Sequence, residues 1–274
     1  MPEGDTIFRA ARTLKAALAG RTVTAFESRF AKLDRYLVDQ PLIGQTVLDV
    51  RAVGKHLLME FSGGLVLRTH MRMNGSWHVY RPGERWRRAR SAMALLVATD
   101  AFVAVAFDVP VAEFIPAARL ARHDGLSRLG PDLLAGDFDP AEAAARLRAR
   151  ADDTIARALI DQTVMAGAGN VYKSEALFLA GIHPGRRVST LSPEEVQNLV
   201  GRLRSLMLAN VVDPATPGLA FRGYRRTTRM ANPGARLWVY GRSGRACRRC
   251  GAPIRYGRHG EEARGTYWCE KCQK

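Results

Sequence analysis

The residues best suited to chemistry open the chain: Met1-Pro2-Glu3-Gly4-Asp5-Thr6. Proline is small enough to permit removal of Met1, which would leave Pro2 as a free secondary amine. Such an amine attacks an electrophilic carbon and gives an iminium without losing a second proton. Glu3, directly behind it, can move protons. The same residues also read as an ordinary helix start, with proline in the first turn and acids near the positive end of the dipole. A second constellation lies at the other end of the chain. Cys247, Cys250, Cys269 and Cys272 form two C-x2-C pairs, and they are the only cysteines. This spacing predicts one tetrahedral, structural zinc site rather than disulfides. The segment from Ala252 to Trp268 is long enough for a β-hairpin. It carries Arg255, Arg258 and Arg264 beside Tyr256, Tyr267 and Trp268, a mixture suited to phosphates and stacked bases.

The charge balance points to the same class of partner. The 274 residues carry a formal net charge of +16, which favours a polyanion and most simply nucleic acid. From Arg222 to Lys274 there are 14 Lys plus Arg against 3 Glu and no Asp, so most of the excess lies in the last fifth of the chain. That segment shows no basic amphipathic helix, which argues against a membrane surface. No apolar run approaches the ~20 residues of a membrane span, and the acidic start lacks the layout of a secretory signal. A cytoplasmic location is expected. Lysine occurs only at positions 15, 32, 55, 173, 271 and 274. A retained lysine is notable because an ammonium, unlike a guanidinium, gives up its proton.

These groups need elements to hold them. Apolar spacing predicts a helix over Ile7–Leu18, ending at Gly20. Short β-branched and aromatic runs predict strands at Thr22–Phe26, Thr46–Val53, His56–Phe61, Leu65–Thr69, Trp77–Tyr80, Met93–Ala98 and Phe102–Phe107, hence a sandwich or barrel. Helices are predicted at Pro140–Arg150, Ile155–Gln162, Asn170–Ala180 and Pro193–Asn210. The glycine-rich turn at residues 165–170 either brings amides and Asn170 to a phosphate or is a plain connection between helices. Residues 211–236, rich in Pro, Gly and Arg, read as a connector.

Four stretches together resemble one family. Pro2-Glu3-Gly4, Gly54-Lys55-His56-Leu57-Leu58, Gly167-Ala168-Gly169-Asn170-Val171-Tyr172 and the terminal four-cysteine hairpin occur in the order found in formamidopyrimidine-DNA glycosylase/endonuclease VIII proteins. The Pro-Glu-Gly opening, Thr69-His70-Met71-Arg72-Met73 and Gly75-Ser76-Trp77 are closer to the endonuclease VIII branch. The resemblance implies an α+β multidomain protein. Its parts would be an N-terminal β-sandwich with a leading helix (residues 1–118), a helix–two-turns–helix domain (119–222), and a connector with a zinc-finger β-hairpin (223–274). DNA would lie in a basic cleft.

The implied activity is that of a bifunctional DNA glycosylase/AP lyase of base excision repair, which removes oxidised pyrimidines and cuts by β,δ-elimination. The alternatives are an oxidised-purine glycosylase on the same scaffold and a non-catalytic zinc-finger DNA-binding protein. By resemblance, Pro2 forms the Schiff base and Glu3 is the general acid/base. Lys55 and Arg264 hold phosphates and assist the eliminations. Arg128 and Asn170 contact DNA, and Glu175 falls near the lesion pocket. Met73 is the wedge that replaces a flipped base, flanked by Arg72 and Asn74. One zinc, damaged DNA in duplex or single-stranded form, a monomer and a nucleoid-associated bacterial setting are further expectations. The chain departs from the family in two places. Asp5-Thr6 stands where Pro-Glu is usual, and the stretch from Asp108 to Phe114 lacks the arginines of the guanine-lesion branch.

Overall fold

Helix α1 (Gly4–Leu18) forms because Ile7, Ala11, Leu14 and Leu18 recur on one face, and that face is buried. It starts three residues before the apolar pattern does. Glu3 is its N-cap, and the Glu3 carbonyl accepts the Thr6 and Ile7 amides at 2.9 and 3.1 Å. Asp5 in the first turn and Lys15 in the last complement the helix dipole. The computed structural model describes residues 2–211, 225–230, 232, 234–259 and 264–274. Two compact units are present, the first ending at Arg128 and the second beginning at Leu129.

The first unit holds two antiparallel four-stranded sheets. One has the order β1-β6-β7-β5, from β1 (Ala25–Ser28), β5 (Ser76–Tyr80), β6 (Met93–Ala98) and β7 (Val103–Phe107). The other has the order β2-β3-β4-β8, from β2 (Val47–Val53), β3 (His56–Phe61), β4 (Leu65–His70) and β8 (Val111–Pro116). Val50, Leu57 and Met59 of one sheet share a core with Leu95, Val97 and Ala104 of the other and with Ile7 and Leu14 of α1. The expected β-sandwich with a leading helix is therefore present. Helix α2 (Ala31–Asp39) and β8 were not legible in the sequence. Only Leu33 of α2 is buried, so no apolar period marks it. Strand β8 follows Pro110 and ends on Pro116 at a sheet edge, where proline is tolerated. The first strand is also shifted, to Ala25–Ser28, leaving Thr22 in an isolated bridge with Thr46. A short helix, α3 (Asp124–Ser127), ends the unit.

The second unit is built on α4 (Pro140–Arg148), α5 (Ile155–Ala158), α6 (Asn170–Ala180) and α7 (Pro193–Leu208). Ser192 and Glu195 form a capping box at the start of α7, with Pro193 in the first turn. Helix α6 is buried from Val171 through Phe178 and stops at Gly181, whose φ of 75° suits a residue without a Cβ. Strands β9 (Ile254–Gly257) and β10 (Thr266–Cys269) make the expected antiparallel hairpin. Phe178 joins Val239, Cys247, Ile254 and Cys269 in a small core that fastens α6 to it. No described helix is long and apolar enough to cross a membrane.

Candidate active site and nucleic-acid interface

In the first unit, three candidate groups sit on separate supports. Pro2 is half-buried and Glu3 buried, at the positive end of α1. Asp5 is wholly buried, pairs with Arg9 Nη1 at 3.2 Å and accepts the Thr6 hydroxyl at 3.4 Å. The unusual Asp5-Thr6 pair is thus engaged within the first turns of α1. Lys55 occupies the two-residue turn between β2 and β3, where Val53 pairs with His56. Gly54 takes the left-handed conformation there (φ 57°), as a tight hairpin requires.

The third group is the loop between β4 and β5. Met71 is buried in the core, whereas Arg72, Met73 and Asn74 are exposed, Met73 by 59%. The core methionine is therefore Met71, and Met73 is the projecting one. Gly75 allows the reversal: its amide donates to the Met71 carbonyl at 2.9 Å, and a Cβ there would lie 2.5 Å from that oxygen. Arg72 has φ 51° and donates its amide to His70 Nδ1 at 3.0 Å. His70 can accept only while unprotonated. Burial and the nearby Arg72, Arg68 and Lys55 charges push it down to about 4. Its edge-on neighbour His56, 4.9 Å away, is pushed down to about 3 by burial and the charges of Arg68, His70, His123 and Arg72.

Arg128 closes the first unit, exposed and 3.9 Å from Asp124. In the second unit the structure brings Asn170 and the chain at Arg264 together. Gln162 shapes the glycine-rich turn by bonding Ala168 and Gly167, and Gly167 takes φ 102°. Asn170 Nδ2 then donates to the Gly265 carbonyl at 2.6 Å, and its buried Oδ1 has no partner among the described residues. Lys173 Nζ donates to the Arg264 carbonyl at 3.1 Å. Two α6 side chains thereby fix the backbone at Arg264 and Gly265, and Arg264 stays exposed. The sequence reading missed Lys173, although its place among only six lysines was a signal.

Glu175, expected near a lesion pocket, is wholly buried. Its oxygens accept the amides of Trp238, Val239 and Tyr240, each at 2.8 Å, and the Thr227 hydroxyl. All four of these donors belong to the segment from Thr227 to Tyr240. Of the loop at residues 223–234, positions 223, 224, 231 and 233 lie outside the described residues.

The four cysteine sulfurs lie within 4.8 Å of one another, with Cys247–Cys272 at 3.9 Å and Cys250–Cys269 at 3.5 Å. A tetrahedral ion with metal–sulfur bonds of about 2.3 Å needs sulfurs about 3.8 Å apart, so the four fit a metal ion. Gly251, with φ 78°, makes the tight turn that presents the first pair.

A sandwich headed by Pro-Glu, a helix pair around a glycine-rich turn and a four-cysteine hairpin define a class of DNA-repair fold, and the comparisons agree. Residues 1–108 match the formamidopyrimidine-DNA glycosylase N-terminal domain, and residues 129–216 match the H2TH domain of the same glycosylase. The chain is 41% identical over 276 residues to the probable endonuclease 8 2 of Streptomyces coelicolor, covering 100% of this chain and 94% of that protein. It is 38% identical to the DNA-(apurinic or apyrimidinic site) lyase Nei2 of Mycolicibacterium smegmatis, covering 100% and 99%. The Lactococcus lactis formamidopyrimidine-DNA glycosylase, solved with a DNA containing N7-benzyl-Fapy-dG, shares the fold with a TM-score of 0.82 at 24% identity over the full length of both chains. The chain belongs to the formamidopyrimidine-DNA glycosylase/endonuclease VIII family. It is a DNA glycosylase and AP lyase of base excision repair.

The buried histidines give a pH dependence. A histidine whose folded pKa is depressed binds its proton more readily in the unfolded chain. Stability is therefore full above the unfolded pKa near 6.5 and declines as pH falls toward about 3, the folded value of His56. One such group contributes a slope of at most about 1.4 kcal/mol per pH unit. Urea unfolding of the first unit between pH 7 and 4 should show a shallower slope in His56→Gln than in the parent. Equal slopes would contradict the assignment.

Proposed function

We propose that the chain excises oxidised pyrimidines and cuts the strand by β,δ-elimination through an imine on Pro2. The observation that carries this reading is the half-buried Pro2 beside a buried Glu3 at the positive end of α1, in a chain similar along its full length to proteins named endonuclease 8. Removal of Met1 supplies the amine. A base inside a duplex is out of reach, so the nucleotide is extruded and Met73 takes over its stacking, with Arg72 and Asn74 at its sides. The Pro2 nitrogen attacks the deoxyribose C1′ as the base leaves. Glu3 manages the protons of that exchange. The resulting iminium acidifies the C2′ hydrogen; loss of that proton expels the 3′ phosphate, and a second elimination expels the 5′ phosphate. Lys55 and Arg264 stabilise these leaving groups, and Arg128 and Asn170 hold backbone phosphates. Pyrimidine preference is supported by the missing arginines between Asp108 and Phe114.

Zinc is the ion proposed for Cys247, Cys250, Cys269 and Cys272, because four thiolates in tetrahedral reach suit it. Its role is to hold the hairpin that carries Arg264. Metal analysis should find one zinc per chain. Cys247→Ser should lose it and bind abasic DNA more weakly while the β-unit stays folded. Normal DNA affinity in that variant would show the hairpin to be dispensable.

Borohydride should trap the parent covalently on DNA containing an oxidised pyrimidine, and the trapped chain should lack Met1 by mass. Glu3→Gln should lower base excision by about 10²-fold or more while retaining cutting at preformed abasic sites. Excision without any trapped species, or equal excision by parent and variant, would overturn the mechanism.

A further inference from the structure

The loop between β5 and β6 has no part in the function described so far. Its sequence, Arg81-Pro82-Gly83-Glu84-Arg85-Trp86-Arg87-Arg88-Ala89-Arg90, holds five arginines. Three of them are engaged. Arg81 lies over the Phe102 ring at 5.0 Å, and Arg90 pairs with Glu27 at 2.7 Å. Arg88 is ion-paired with Asp108 and donates to the Ser76 hydroxyl at 3.3 Å. The remaining two, Arg85 and Arg87, are exposed, and among the described residues their guanidinium groups have no hydrogen-bond or ion-pair partner.

The loop that presents them is held in place. Trp86 stacks on Tyr80 with ring centroids 6.3 Å apart and meets Phe107 edge-on at 5.7 Å. The Arg87 amide donates to the Tyr80 hydroxyl at 3.2 Å. Asp108, which grips Arg88, sits in the left-handed region with φ 49°, a conformation uncommon for a residue other than glycine. A charge on a fixed support binds an anion without first paying to order the loop.

The place of this loop decides what it meets. The Met73 loop leaves β4 of one sheet at His70 and enters β5 of the other at Ser76. Lys55 stands at the first stem, since its neighbour His56 pairs with His70. Arg88 is bonded to Ser76 at the second stem. Cations therefore flank the projecting Met73 on both sheets.

We propose that Arg85 and Arg87 form a phosphate clamp for the undamaged strand of a duplex, on the far side of Met73 from Lys55. The proposal rests on the reading above, in which Lys55 holds the damaged strand and Met73 fills the hole left by the flipped base. An arginine fork matches two phosphate oxygens at once. The clamp makes the β5–β6 loop a determinant of duplex over single-stranded substrate.

The test compares the parent with the double variant Arg85→Ala/Arg87→Ala. Each binds an oligonucleotide with a tetrahydrofuran abasic analogue, alone and annealed to its complement. Duplex Kd should rise on the order of tenfold, and the slope of log K against log salt should fall by about 2, one phosphate per arginine. Single-strand affinity should change by less than about twofold, since its phosphates are held elsewhere. Equal loss on both substrates, or undiminished duplex binding, overturns the clamp. Borohydride trapping of the parent on a single-stranded lesion keeps the two readings apart. Trapping together with undiminished duplex binding by the variant overturns the clamp alone, whereas a parent that is not trapped overturns the chemistry beneath it.

Discussion

The second unit depends on the polar side chains that α6 carries into its interior. Asn170, Lys173 and Glu175 lie within six residues of a helix whose other side chains, Ser174 and the Tyr172 hydroxyl apart, are apolar, and Lys173 and Glu175 are wholly buried. A buried charge is costly unless bonded. Here Lys173 meets the Arg264 carbonyl, and Glu175 meets three consecutive amides at residues 238–240. Hydrogen bonds to charged groups are each worth about 1.5–3 kcal/mol. The need to satisfy these groups draws two distant segments onto one helix. The four-cysteine cluster fixes the hairpin internally, and α6 fixes where its arginine-bearing turn starts.

The first unit meets its own constraint with backbone geometry. Its projecting loop has one methionine in the core and one in solvent, two residues apart. Gly75, which has no room for a Cβ, closes that reversal, and neutral His70 accepts the Arg72 amide that begins it. Keeping His70 neutral beside Lys55, Arg68 and Arg72 needs no special device, because those cations and burial both oppose protonation. Positive charge gathered for a polyanion thereby also sets the state of the histidine that shapes the loop.

Much of this was legible in the sequence. Strands His56–Phe61 and Met93–Ala98 and helix Asn170–Ala180 have the bounds that periodicity predicts. The cysteine spacing gave the metal-binding cluster, because ligand geometry leaves few alternatives. Strand β8 and helix α2 were hidden, one by flanking prolines and the other by having a single buried residue. The partners of Lys173 and Glu175 were hidden for another reason. They lie 91 and 52–65 residues away, and a local pattern cannot tell a polar side chain on a wet face from one bonded inside. Asp5, Arg88 and Glu175 likewise look like surface charges until their partners are seen.

The proposed mechanism is a division of labour: imine chemistry on the first unit, and phosphate handling by an Arg264 that α6 holds in position. Lys173→Met separates the two, because it removes one of the α6 grips on the Arg264 backbone without touching Pro2, Glu3 or a cysteine. The direct measurement follows single-turnover cutting of abasic DNA by Lys173→Met, with its metal content, borohydride trapping and β- and δ-elimination products compared with the parent. The account predicts parent-like metal and trapping yield, with the δ-product reduced relative to the β-product. A parent-like product ratio, or trapping that falls in the same proportion as the δ-product, would contradict it.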